Sequence, residues 1–148
     1  MITLLAPAKI NLYFHIVGKD KNNFHLVESL VGFAKVCDII KVRKAPLLEA
    51  KVIGPFSKSL KSIEDNLVLR AARYVQDKMG ITSGAEIILE KHLPVASGVG
   101  GGSSDAAATI KALCRLWGVD EDRFSNSDLS QRLGADLPIC FLGKPSFV

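Results

Sequence analysis

The sequence predicts an α+β fold, a mostly antiparallel sheet with helices packed on one of its faces. Three observations predict it. From Lys9 to Ile53 the chain is rich in Val, Ile, Leu and Phe, in alternating or continuous apolar runs that mark strands. From Val68 onward the apolar spacing switches to that of a helix. The order is strands first, then helices mixed with strands, rather than a regular strand–helix alternation.

The elements follow in order. Between Lys9 and Val17, Ile10, Leu12, Phe14 and Ile16 point one way, and Lys9, Asn11, Tyr13 and His15 the other. Gly18 to Asn23 (GKDKNN) is a turn by composition. His25 to Ala34, Asp38 to Lys44 and Leu48 to Ile53 read as further strands, and Gly54 to Ser62 as a loop. Val68, Ala72, Val75 and Met79 define a helix that Asp65 or Ser62 can cap and Gly80 can end. Ala85 to Glu90 is a short strand. Ala106, Ile110, Leu113 and Trp117 mark a second helix, closed by Gly118. Asp120 to Leu133 is a third helical stretch, Gly134 to Pro138 a turn, and Ile139 to Leu142 a final strand.

Composition narrows the classes of function. With 148 residues, 48% hydrophobic and 23% charged, the chain can bury the core of one domain. No apolar run approaches the ~18 residues of a membrane span, and no signal peptide is read at the N-terminus. Cys37, Cys114 and Cys140 are odd in number and widely spaced, so they suggest small core residues in a reducing cytoplasm, not a disulfide framework or zinc site. The net charge of +4 suits an anionic ligand, but the lysines are scattered, which speaks against nucleic acid as the partner.

The most informative segment is PVASGVGGGSSDAAATI, Pro94 to Ile110. Glycines between a strand and a helix N-terminus let backbone N–H groups approach phosphate oxygens, and the helix dipole points at the same place. Ser103 or Ser104 can cap that helix or offer a hydroxyl to a phosphate. A Walker loop is excluded because no lysine follows the glycines. A dinucleotide fingerprint is excluded because the third glycine position from Gly98 is Ser103. Phosphate binding is the expected use.

PVASGVGGGSSDAA resembles the signature of the GHMP kinases, the family of galactokinase and of homoserine, mevalonate and phosphomevalonate kinases. APAKINLYFHIVGKDKNNFHLVESL, IEDNLVLRAAR and LGADLPICFLG resemble further blocks of that family in the same order, so the likeness covers essentially the whole chain. They narrow it to the branch that phosphorylates the 2-hydroxyl of diphosphocytidyl-methylerythritol in isoprenoid precursor biosynthesis. The resemblance implies an N-terminal GHMP domain with the fold of a ribosomal protein S5 domain, and ATP and Mg²⁺ as cofactors. Such kinases are two-domain proteins roughly twice this length. The chain is therefore expected to be the N-terminal domain at 1–148, lacking the C-terminal one, with a separately encoded C-terminal half as a partner and little turnover alone.

The resemblance also implies roles. Lys9, in PAKIN, would stabilise charge beside the reacting hydroxyl, and Asp136, in GADLP, would accept its proton. Asn11 would bond the substrate, and Phe24 and His25 would hold its cytosine by stacking and edge hydrogen bonds. The chain departs from the family pattern here, with Phe24 where tyrosine is usual and Asn22-Asn23 where Asp-Gly is usual. ATP would be held by Pro94, Val95, Ala96, Ser97, Gly98, Val99, Gly100, Gly101, Gly102, Ser103 and Ser104, with Asn66 near the adenine and Lys91 beside the nucleotide. The metal ligands are unassigned. Ordinary alternatives stand beside these roles: a solvent-reaching lysine at a strand end, a turn aspartate before proline, and Asn66 as a helix N-cap. At the level of the chain the alternatives are another GHMP small-molecule kinase, or a non-catalytic remnant that binds nucleotide.

Overall fold

Strand-forming residues build two long strands that carry the rest of the fold. In the computed structural model, which describes residues 1–60, 66–95 and 101–147, β1 runs Ile2–Lys19 and β2 His25–Ala45. β3 is Leu48–Ile53, β4 Gly84–Glu90 and β5 Ser146–Phe147. The sheet order is β1-β2-β4-β3, with β5 beside β2. Among the described residues only β3 and β4 pair in parallel; the other pairings are antiparallel. The helices are α1, Leu67–Met79; α2, Gly101–Trp117; α3, Asn126–Leu133; and α4, Leu137–Leu142.

Alternation decides which face of the sheet is covered. Ile40 and Val42 of β2 and Ala85, Ile87 and Leu89 of β4 are buried against Val68 and Ala72 of α1 and Ala108, Ala112 and Leu113 of α2. Removing one fully buried side chain there, as in Leu113→Ala, would cost about 2–5 kcal/mol. The intervening residues face the other way. There Lys41 pairs with Glu90, Arg43 with Glu86, and Lys51 with Glu86 at 2.7 Å. The expectation of helices on one face of a mostly antiparallel sheet therefore stands. A second cluster joins Ala71 and Val75 of α1, Ala107 and Ile110 of α2, Leu129 and Leu133 of α3, and Leu137 and Cys140 of α4. It fixes α4 against α2.

Local chemistry sets the ends of the elements. Asn66 caps α1, its Oδ1 accepting from the Val68 amide at 2.8 Å, and Gly80 ends it at φ 64°. The expected caps Ser62 and Asp65 lie outside the described residues. Ser125 caps α3 by accepting from the Asp128 amide. The single helix expected from Asp120 to Leu133 is instead a 3₁₀ turn at Glu121–Arg123 followed by α3.

Two other expectations need correction. The strands expected at His25–Ala34 and Asp38–Lys44 are one strand, β2, with extra residues opposite the step from Pro7 to Lys9. The strand expected at Ile139–Leu142 is the last part of α4. Pro138 lies in the first turn of that helix and Gly143, at φ 68°, ends it, so the apolar run is bounded by helix signals. At the far end of the β1–β2 hairpin, Asn23 has φ 66°. Asparagine tolerates the left-handed conformation that glycine adopts freely, so the turn survives its departure from the family pattern.

Candidate active site

Lys9 and Asp136 meet. Lys9 Nζ lies 3.0 Å from Asp136 Oδ1, joining β1 to the residue that opens α4. The Lys9 side chain is 8% exposed and that of Asp136 56%, so the ammonium is anchored and the carboxylate reaches solvent. Asp136 makes no capping bond to α4, which leaves its oxygens available. Cys140, one turn on, is buried, and burial pushes its thiol up to about 12; the charges of Lys9, Asp136 and Asp105 also act on it. Cys140 packs in one cluster with Ala106 and Ala107, so α4 lies against α2.

Both residues line a cleft of about 680 Å³, together with Asn11, Phe14, Val27, Ser29 and residues of α4. Ser29 donates a 3.3 Å bond to Asn11 Oδ1. Strict alternation set Lys9 and Asn11 opposite Phe14. A register shift between Asn11 and Tyr13 inserts one residue into β1 and turns Phe14 into the cleft. Phe24 and His25 lie elsewhere, at the hairpin end, both exposed and neither lining the cleft. The Asp20 carboxylate accepts the Phe24 amide there, which orders the backbone but leaves the ring free.

Of the glycine segment, Pro94 and Val95 are described, Gly101 to Ser104 form the first turn of α2, and Ala96, Ser97, Gly98, Val99 and Gly100 lie outside the described residues. The helix thus begins five residues before Ala106, the first residue of its apolar pattern. Gly102 is exposed with open space where a Cβ would stand. Asn66 commits its side-chain oxygen to α1. Lys91, expected beside the nucleotide, is buried and bonds to Asp38 and Asp105. Burial opposes its charge, but Asp105 and Asp38 outweigh that and hold its pKa above the usual lysine value. Among the described residues no group of three His, Cys, Asp or Glu gathers to hold a metal ion.

Sequence reasoning passed over Asp38, Asp105, Ser29 and Phe14. A signal for Asp38 was present: it shares the parity of Ile40 and Val42 and is, like them, fully buried. Asp105 likewise stands four residues before buried Thr109, on the covered side of α2. All three cysteines are free; Cys114 and Cys140 are buried and Cys37 is half-buried.

Comparison with known proteins matches residues 66–144 to the GHMP kinases N terminal domain. The chain belongs to the GHMP kinase family. Its similar curated relatives include the 4-diphosphocytidyl-2-C-methyl-D-erythritol kinase of Paramagnetospirillum magneticum, 46% identical over 140 residues, covering 95% of this chain and 49% of the relative. That of Parvibaculum lavamentivorans is 48% identical, covering 94% and 48%. A crystal structure of 4-(cytidine 5'-diphospho)-2C-methyl-D-erythritol kinase matches with TM-score 0.81 and 29% identity, over 99% of this chain and 51% of the other. A homoserine kinase from Cytophaga hutchinsonii, at TM-score 0.62 and 22% identity over 97% of this chain and 42% of the other, shares the fold. The chain spans about half the length of the curated relatives it matches.

Proposed function

We propose that this chain is the ATP-binding half of a kinase that transfers the γ-phosphoryl group of ATP to the 2-hydroxyl of 4-diphosphocytidyl-2-C-methyl-D-erythritol. The observation that carries the reading is the 3.0 Å contact of Lys9 with Asp136 in a cleft lined by residues of β1, β2 and α4. The names of the relatives supply the substrate.

The chemistry assigns each group a task. Asp136 accepts the proton of the substrate hydroxyl as its oxygen bonds to the γ-phosphorus and the bond to ADP breaks. Lys9 holds the aspartate in place and offsets negative charge on the attacking oxygen. Phosphoryl transfer depends on positioning and charge neutralisation more than on a strong base, so a partly exposed carboxylate suffices. Gly101 to Ser104 direct the amides of the first turn of α2 at the phosphates, and Asn66 approaches the adenine with the amide nitrogen that takes no part in the α1 cap. Mg²⁺ would neutralise phosphate charge on the bound ATP, its protein ligands unassigned. Asn11 would bond the substrate, with Phe24 and His25 reaching its cytosine from the hairpin.

The exposed Leu12, Phe14, Ile16, Val17 and Leu26 of the β1–β2 hairpin leave an apolar surface for a second half of the kinase, whether in the same polypeptide or encoded separately. A reducing, cytoplasmic setting suits three free cysteines. The exposure of Asp136 also supports a second reading, a half-site that binds nucleotide without turnover. ADP release, measured with and without the cytidyl substrate and with added C-terminal half, separates the two. Release that depends on the substrate and is lost in Lys9→Ala and Asp136→Ala supports the kinase; release unchanged by either variant overturns it.

A further inference from the structure

The row of β2 that faces the cleft is Val27, Ser29 and Val31, one hydroxyl between two valines. Ser29 is 6% exposed. Among the described residues its hydroxyl makes one hydrogen bond, donated to Asn11 Oδ1 at 3.3 Å. A valine there would bury apolar area, whereas a hydroxyl taken from water gains little from one long bond. Stability alone therefore does not account for a serine at this point.

Its place in the strand pairing does. Asn11 stands opposite Val31, and a continuous register would set Tyr13 opposite Ser29. The extra residue between Asn11 and Tyr13 sets Phe14 there instead. Asn11 and Phe14 then share a face with Ser29, and all three line the cleft with Lys9 and Asp136. Asn11 itself is exposed. A side-chain amide has one acceptor oxygen and one donor nitrogen. With the oxygen held by Ser29, the nitrogen is the group left for a ligand, and among the described residues it has no partner. The cleft thus presents an acceptor at Asp136 and a fixed donor at Asn11.

We propose that Ser29 is a positioning residue for the substrate. By holding Asn11 Oδ1 it turns Asn11 Nδ2 toward the cleft, so that Asn11 donates to an acceptor oxygen of the substrate while Asp136 takes the proton of the reacting hydroxyl. Ser29 does not itself touch the substrate. An amide already held in one of its two orientations loses less freedom on binding, and that gain appears as affinity. It also sets specificity, because a ligand with only a donor at that point would meet a donor and leave both unpaired. The proposal rests on the reading of the cleft as the substrate site.

The test uses the whole chain with Ser29→Ala, Ser29→Val, Asn11→Ala and the double variant Ser29→Ala/Asn11→Ala. Ser29→Val fills the space with the residue that stands on either side of it in the row, which guards against a loosened strand. Affinity for 4-diphosphocytidyl-2-C-methyl-D-erythritol is measured by calorimetry at neutral pH. The order of the Asn11 side-chain amide is followed by ¹⁵N relaxation without ligand, its signals identified by their loss in Asn11→Ala. Asn11→Ala should weaken binding about tenfold, and either Ser29 variant about threefold or more. The double variant should match Asn11→Ala within about twofold, because Ser29 acts only through Asn11. Relaxation should show the amide ordered in the wild type and freed in Ser29→Ala. Unchanged affinity in both Ser29 variants, or losses that multiply in the double variant, would overturn the proposal. If the wild-type chain does not bind the compound, the substrate reading fails, and relaxation still decides the role of Ser29. An amide equally ordered with and without the hydroxyl overturns that role, and one freed by its loss sustains it.

Discussion

Lys9 and Asp136 stand near opposite ends of the sequence and 3.0 Å apart in space. The contact is made by the edge strand and the last helix, so it exists only once the sheet and the α2–α4 packing are complete. With the ammonium buried and the carboxylate half-exposed, the lysine is the fixed member and the aspartate the one that reaches solvent.

This asymmetry separates binding from chemistry. In an assembly that turns over, Asp136→Asn should lower kcat by about 10²–10⁴-fold, the usual contribution of a positioned general base. The KM for ATP should change little, because Asp136 does not belong to the glycine segment. Steady-state kinetics with ATP and the cytidyl substrate varied separately would check this. An equal rise in both KM values with kcat intact would assign Asp136 to binding.

Asn66 has a structural task that is measurable without any ligand. Its Oδ1 accepts the Val68 amide at the start of α1, so Asn66→Ala should cost about 0.5–2 kcal/mol of stability. Asn66→Asp retains the acceptor and should cost much less. Denaturant unfolding of both variants distinguishes the cap from a residue that serves only the nucleotide.

The Asp105 carboxyl gives stability a particular pH dependence. Its pKa is raised from 3.8 to about 8 on folding, so the folded chain holds the proton more tightly than the unfolded chain. The stabilisation is fully present below about pH 4 and is lost as pH rises to about 8, with a slope approaching 1.4 kcal/mol per pH unit for one proton. The titratable groups that face Asp105 are Asp38 of β2, Lys91 beyond β4 and Cys140 of α4. Asp105→Asn should abolish the slope. Unfolding curves for the two proteins that stay parallel across this window would show that Asp105 is ionised throughout.

Much of the fold was legible because it depends on short-range pattern. Alternation marked the strands, and the spacing of Val68, Ala72, Val75 and Met79 marked α1. What escaped depends on contacts between distant segments. Ile139 to Leu142 is too short for periodicity to decide between strand and helix, and Pro138 and Gly143 were the better signals. The register shift that turns Phe14 into the cleft is a property of the β1–β2 pairing, invisible in β1 alone. Lys9 and Asp136 were named through the resemblance, and their meeting came from the structure. Asp38 and Asp105 carry no local motif that joins them, because they stand on β2 and α2 and meet, with Lys91, only in the folded chain.

The glycine segment offers the most direct test, at Gly102. Among the described residues nothing stands within 4 Å of a Cβ built there, so no described neighbour has to move for a side chain to start at this exposed position. Calorimetric titration of Mg·ATP into the wild-type chain and Gly102→Leu is the decisive measurement. Binding at one site in the wild type, lost by about tenfold or more in Gly102→Leu with no fall in melting temperature, is the expected result. Equal ATP affinity in the two proteins would contradict the placement of the phosphates at this turn.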